Sequence, residues 1–284
     1  MKRFAPVFLL PTAICFFIGF VWPFCQGIYL SFCKFITPQG AKFVGISNYV
    51  KALSDPSFRY SFGYTALFTA VSVIVINLIA FFIAYALTQK IRGRNIFRCV
   101  FFMPNLIGGI VLGYIWSMIF DGILRYYGTY LTAKASYGFI GLLILMCWQQ
   151  IGYMMIIYIA GLQSVPESYV EAAKIDGARG WQILRRVIIP NVMPSITICT
   201  FLTLTNSFKL FDQNLALTAG MPVVMENGSP ISKTEMLALN IYKTFYTGAG
   251  SRGVAQAKAV IFFILVAVIA LLQLSATRKR EVQQ

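Results

Sequence analysis

The sequence predicts an all-α integral membrane protein with six transmembrane helices, and three observations predict it. Of 284 residues, 58% are hydrophobic and only 12% charged, whereas a soluble domain carries about 25% charged residues. Mean hydropathy is +0.72. The apolar residues also gather in stretches close to the roughly 20 that a helix needs to cross a hydrocarbon core about 30 Å thick.

Six stretches qualify: 4–32, 64–87, 100–120, 138–161, 194–210 and 254–274. The first is too long for a cleaved leader and has no small-x-small cleavage site. Pro11 and Pro23 within it predict kinks, which neighbouring helices tolerate in a membrane. The fifth carries Asn206 and Lys209 near its end and is the weakest. No segment between spans is large enough to fold as a domain of its own, so residues 1–284 read as a single transmembrane domain.

Basic residues set the expected orientation, because Lys and Arg collect on cytoplasmic loops. With a cytoplasmic N-terminus, the inside segments 1–3, 88–99, 162–193 and 275–284 hold 13 Lys/Arg in 57 residues. The outside segments 33–63, 121–137 and 211–253 hold 9 in 91. Both termini are therefore expected in the cytoplasm. Lys90, Arg92, Arg94 and Arg98 contribute most, and Arg278, Lys279 and Arg280 agree.

The same charge pattern accounts for the net +15, which in a soluble chain would suggest nucleic acid. No basic stripe interleaved with aromatics in a soluble domain supports nucleic-acid binding here. The sequence has no histidine, which removes Ser-His-Asp triads and His-metal sites. Cys15, Cys25, Cys33, Cys99, Cys147 and Cys199 form no C-x-x-C pair and read as small hydrophobes. No catalytic or metal-ligating set is expected.

The segment 162–193 is far longer than a turn requires. Ser164-Val165-Pro166-Glu167 has the spacing of a capping box, predicting a short helix through Tyr169 and Lys174. Asp176-Gly177-Ala178 then reads as a break, with Gly supplying a left-handed turn and Asp available to cap a second helix containing Trp181, Leu184 and Val187. Pro190 and Pro194 mark its end. The result is a compact two-helix knob, lean at Ala172, Ala173 and Gly177, with Glu171, Asp176, Arg179 and Arg185 as polar anchors. A bland alternative is an amphipathic hairpin that only rests on the headgroups.

Tyr169-Val170-Glu171-Ala172-Ala173-Lys174-Ile175-Asp176-Gly177-Ala178, with Trp181, Arg185-Arg186-Val187-Ile188-Ile189-Pro190 and Pro194, resembles the EAA loop. That loop marks the permease subunits of binding-protein-dependent ATP-binding-cassette importers. Gly45-Ile46-Ser47-Asn48-Tyr49, Phe101-Phe102-Met103-Pro104, Trp148 to Tyr153 and Ser207 to Asp212 resemble segments of the sugar-importing branch, particularly its maltose-type first permease. The resemblance covers nearly the whole chain. It departs on the outer face, where Ala219-Gly220-Met221-Pro222 replaces Gly-Gly-Pro and about a dozen residues intervene before Thr234.

The resemblance implies that Glu171, Ala172, Ala173, Asp176 and Gly177 couple the chain to an ATPase subunit, with Arg185 beside them. It also implies the partners: a second related permease subunit, two ATP-binding-cassette ATPase subunits and an extracytoplasmic solute-binding protein, all in a bacterial-type cytoplasmic (inner) membrane. The sequence contains no G-x-x-x-x-G-K-[ST] motif. No cofactor is expected on this chain, with ATP and Mg on the partner ATPase.

Polar side chains within spans are costly and usually face a bundle interior or water. Candidates for the solute pathway are Gln149, Gln150, Tyr153, Asn206, Lys209 and Asp212, with Asn77. Amides suit sugar hydroxyls and aromatic faces suit sugar rings. Structural alternatives are an ion pair between Lys209 and Asp212, spaced i, i+3, and a bond from Gln149 to a neighbouring helix. On the outer side, Thr234 to Phe245 reads as a short helix capped by Thr234, with Leu237, Ile241 and Phe245 in one stripe. An ion-coupled secondary transporter is the other transport class, but it calls for embedded acidic residues, and the span centres hold almost none. A lipid-processing enzyme lacks a clustered set of carboxylates or His.

Overall fold

The computed structural model describes residues 5–89, 91–226, 228–248 and 250–278. Phe4, at the start of the first expected span, and Lys2, Arg3, Lys90, Lys279 and Arg280 of the charge count lie outside the described residues. Two compact units are present. One holds the residues up to Arg59 together with Asn240–Ile264; the other holds Tyr60–Leu239 and the residues from Leu265.

In the first unit, α1 (Ala5–Phe16), a π turn (Phe17–Val21) and α2 (Trp22–Ser31) make one long apolar helix. Pro11 is carried inside it, and the wider π turn precedes Pro23, whose ring cannot supply a backbone donor. The expected kink at Pro23 thus takes the form of a π turn. A two-residue ladder follows, β1 (Cys33–Lys34) antiparallel to β2 (Lys42–Phe43), and then α3 (Ser47–Ser54). Asn48 explains the Gly45 to Tyr49 segment. Its Nδ2 donates to the carbonyls of Ser31 and Cys33, both at 2.9 Å, satisfying orphan acceptors at the end of the first helix. Gly45 turns the chain with φ +60°. Leu30, Cys33 and Phe35 form the small core of this unit.

The second unit is built round α7 (Ala135–Gln163), the most buried of the long helices. Leu142, Leu145, Met146, Met154 and Met155 of α7 pack against Phe68, Ile76, Ala80 and Ala84 of α4 (Pro56–Thr88). At 33 residues, α4 is roughly 50 Å long and exceeds a bilayer's apolar thickness. The last helix, α14, spans Arg252–Arg278.

Among the described residues, four helices are long and apolar enough for a membrane crossing, and the number reaches six when each of two bent pairs is counted as one span. The expected third span, 100–120, falls on a bent pair. It is α5 (Arg94–Phe102) with a 3-10 turn to Leu106, then α6 (Gly109–Arg125), and the two pieces meet at 101°. Pro104 lacks a donor, Ile107 is extended, and Gly108-Gly109 adds no side chain to resist the bend. The fifth span begins as expected near Pro194. Its helix, α11 (Met193–Phe208), turns 71° from the helical segment Gly180–Asn191 before it.

On the far side of α11 lie α12 (Asp212–Leu217) and a hairpin of β3 (Val223–Glu226) and β4 (Ser229–Ser232). Next comes α13 (Leu237–Thr247), which starts three residues later than expected. Thr234 does not cap it: the Thr234 hydroxyl donates to the Met221 carbonyl at 2.7 Å and closes the base of the hairpin instead.

Candidate functional site

The segment 162–193 folds as two helices joined at glycine. α8 (Glu167–Ile175) is followed by Asp176 and by Gly177 at φ +76°, and a second helix starts at α9 (Gly180–Ile183). It continues through a π turn (Leu184–Ile188) into α10 (Ile189–Asn191). The capping box does not form. The Ser164 hydroxyl turns back to the Gly161 carbonyl at 2.8 Å, and Pro166 occupies the cap of α8. The second helix is capped from within, the Arg179 backbone N–H donating to Gln182 Oε1 at 2.7 Å, rather than by Asp176.

Ile183 and Leu184 anchor the knob in the second unit, whereas Glu171, Ala172, Asp176, Gly177 and Arg185 are exposed and Ala173 is half-buried. Ile175 is 86% exposed and Trp181 63%. Trp181 borders an apolar groove lined by Val73, Phe81 and Tyr158, whereas Ile175 stands exposed among charges, which is a feature of a docking surface rather than of a free loop. A Cβ on Gly177 would meet nothing within 4 Å, so its requirement is backbone conformation and clearance for whatever lies outside. Beneath α8, a groove of about 550 Å³ is lined by Tyr85 and Thr88 from the end of α4 and by Glu167, Glu171 and Lys174.

The polar residues predicted for the pathway divide into groups. Gln149, nearly fully buried, donates from Nε2 to the Ile107 carbonyl at 3.2 Å and accepts from Gln213 Nε2 at 2.7 Å. It thus satisfies a carbonyl freed at the break between α5 and α6. Its neighbour Gln150 points to α11 and accepts from Asn206 Nδ2 at 3.2 Å. Tyr153 packs half-buried at the edge of the core. Lys209 and Asp212 are both exposed at the junction of α11 and α12, and no ion pair joins them among the described residues. Asn77 lies elsewhere: it donates to Thr203 Oγ1 at 3.2 Å and accepts from the Tyr158 hydroxyl at 2.8 Å, as an interhelical fastening.

Two residues of this region escaped sequence reading. Gln213 completes the amide pair with Gln149. Asn214 is fully buried, donates to the Thr234 carbonyl at 2.7 Å and accepts from the Met236 N–H at 3.0 Å, tying the hairpin to α12. The run Asp212-Gln213-Asn214 was the available signal. α12 in turn lies directly on α6, where a Cβ on Gly113 would come within 2.5 Å of Ala216 Cβ. Hairpin, α12 and α6 are therefore fastened to one another, and α6 begins at the break that Gln149 fastens.

With this geometry in hand, the comparisons with known proteins agree in kind. Residues 91–281 match the family described as binding-protein-dependent transport system inner membrane component. The chain is 41% identical to the probable starch degradation products transport system permease protein AmyD of Thermoanaerobacterium thermosulfurigenes, over 98% of this chain and 94% of that one. It is 30% identical to the multiple sugar-binding transport system permease protein MsmF of Streptococcus mutans, over 99% and 97%. Among solved structures, a bacterial ABC transporter involved in the import of the acidic polysaccharide alginate shares the fold, with TM-score 0.81 at 19% identity over 98% of this chain and 96% of that one. Matched over two thirds of its length by the family and along almost all of it by its relatives, this chain belongs to the binding-protein-dependent transport system inner membrane components.

Proposed function

We infer that the chain is one of two permease subunits of an ATP-driven importer for a sugar or oligosaccharide. An extracytoplasmic binding protein delivers the solute, and two ATP-binding-cassette subunits hydrolyse ATP with Mg. The observation that carries the reading is the knob of α8 and the following helix: a glycine-jointed pair that leaves Ile175 exposed beside Asp176, with Glu171 exposed on the same short helix. Such a surface suits a cleft on a moving partner. The knob then lies in the cytoplasm, both termini with it, and the hairpin of β3 and β4 faces outward, one crossing of α11 away.

Closure of the ATPases pushes the knob. Because the helical segment Gly180–Asn191 runs straight into α11 across the 71° bend, that push reorients α11 and the Asn206 amide on it. α11 carries α12 with it, and through α12 the α6 wall. This is rigid-body alternation between two arrangements rather than covalent chemistry. The names of the relatives, for starch degradation products and for multiple sugars, support the solute class, and so do the paired amides of Gln149, Gln150, Asn206 and Gln213.

The test is uptake into vesicles holding the full complex, with binding protein and ATP. Labelled maltodextrin is expected to accumulate and to be competed by maltodextrin but not by an amino acid or a sugar phosphate. Gly177→Val is expected to leave the complex assembled and the ATPase active, while uptake falls at least tenfold. Gly177→Asn, which tolerates φ > 0, retains more uptake than the valine variant. Full-rate uptake by Gly177→Val refutes the coupling role.

A further inference from the structure

The structure assigns a second binding surface to this chain: α5 is a seat for anionic phospholipid headgroups, and the seated lipid braces the bend between α5 and α6. This rests on the importer reading only for the side of the membrane it faces. α5 is nine residues long and divided lengthwise. Arg94 and Arg98, four residues apart, share one side, and Arg92 precedes the helix across Gly93, while Ile96, Phe97 and Val100 stand exposed on the other side, Ile96 at 70%. A short helix with arginines on one side and bulky apolar groups on the other fits the boundary between headgroups and acyl chains.

Charge complementarity decides the occupant. No Asp or Glu occurs in the sequence between Asp55 and Asp121. Arg92 and Arg94 are exposed, and none of Arg92, Arg94 and Arg98 forms an ion pair among the described residues; Nε and Nη2 of Arg98 are buried without a hydrogen-bond partner there, so the seat is offered by Arg92 and Arg94. A protein partner would have to bring carboxylates to an apolar, membrane-level face. A phospholipid brings phosphate and acyl chain together, and guanidinium groups pair with phosphate through two parallel hydrogen bonds.

The placement gives the lipid something to act on. Gln163 at the end of α7 and Gln89 after α4 line the groove beneath α8, so Arg92 and Arg94, a few residues further on, lie at the end of the second unit that bears the knob. α5 is held to α7 at Phe101, against Gly152. It leads directly into the 101° bend, where the Ile107 carbonyl is bound by Gln149. Headgroups that hold α5 in the plane of the interface hold one limb of that bend.

The test uses the full complex in nanodiscs of phosphatidylcholine with or without phosphatidylglycerol. Lipid retained by the purified complex is counted by native mass spectrometry, and uptake is followed in vesicles of the same two compositions. The wild type is expected to retain phosphatidylglycerol over phosphatidylcholine and to transport several-fold faster with it. Arg92→Gln/Arg94→Gln, both exposed positions, is expected to weaken the preference by about fivefold per charge and to flatten the lipid dependence of uptake. Arg92→Lys/Arg94→Lys restores most of both. Equal retention of the two lipids by the wild type, an unchanged preference in the glutamine variant, or displacement of the lipid by inorganic phosphate would each overturn the assignment while leaving ATP-driven uptake intact. Loss of uptake in every lipid would strike the importer reading instead.

Discussion

Gly152→Ala is expected to abolish the folded chain, although the change adds one methyl group in the middle of a helix. A Cβ at this position would lie 1.8 Å from the Phe101 carbonyl oxygen, 2.3 Å from its carbon and 2.8 Å from the Phe102 nitrogen. These are backbone atoms of α5, so no rotamer change relieves the overlap, and α5 must leave α7. Overpacking of a flexible side chain costs about 1–3 kcal/mol; displacement of a backbone segment lies at or beyond the top of that range. Gly122 of α6 supplies the control. It has no neighbour within 4 Å of an added Cβ, and Ala is preferred to Gly inside a helix by roughly 0.5–1 kcal/mol. Gly122→Ala should therefore elute and melt like the wild type or slightly above it. Gly152→Ala should be lost to aggregates on size exclusion in detergent. An unchanged elution profile and melting temperature for Gly152→Ala would show that α5 does not pack on α7 in this way.

Gly152 also marks where sequence reading stops. The long helices α4, α7 and α14 are legible because a crossing segment must satisfy its own backbone and be apolar along its length, and hydropathy sees both requirements. The knob is legible because Asp176-Gly177 between two short amphipathic runs leaves few alternatives to a left-handed turn. The break at Ile107 and Gly108 is invisible to the same method, since its residues are as apolar as those on either side. Pro104 and Gly108-Gly109 were the only marks of it. Caps fail for another reason. A hydroxyl at a helix start can accept from a backbone N–H as a cap or donate to a carbonyl, and the packing decides which: Ser164 donates back to Gly161, and Thr234 donates to Met221. The amide partners are the least legible of all. Gln149 and Gln213 are 64 residues apart, and Asn206 and Gln150 are 56 apart, distances over which no periodicity speaks.

Lys258 shows the same limit and carries the second large effect. It sits in the sixth apolar span, only 1% exposed, with Nζ bonded to Asp55 Oδ2 at 2.6 Å, to Asn240 Oδ1 at 2.9 Å and to Thr244 Oγ1 at 2.8 Å. Phe58 lies against the ammonium, 5.2 Å from ring centroid to Nζ. All three donors are used, which is what allows a charge to stay in such a place. Asp55 is the only anion among these acceptors, and its side chain keeps partial contact with solvent. Asp55→Asn therefore leaves an ammonium facing neutral acceptors only, at a cost near the lower end of the 3–5 kcal/mol typical of a broken buried pair, about 3 kcal/mol. Lys258→Met costs less, because the carboxylate left behind can hydrate. The double variant Asp55→Asn/Lys258→Met removes both charges and should recover more than half of what Asp55→Asn loses, since a well-packed apolar replacement for a buried pair is often neutral. Melting temperatures of the complex in detergent decide the order. If the double variant melts below Asp55→Asn, the loss comes from packing around Lys258 and not from a stranded charge.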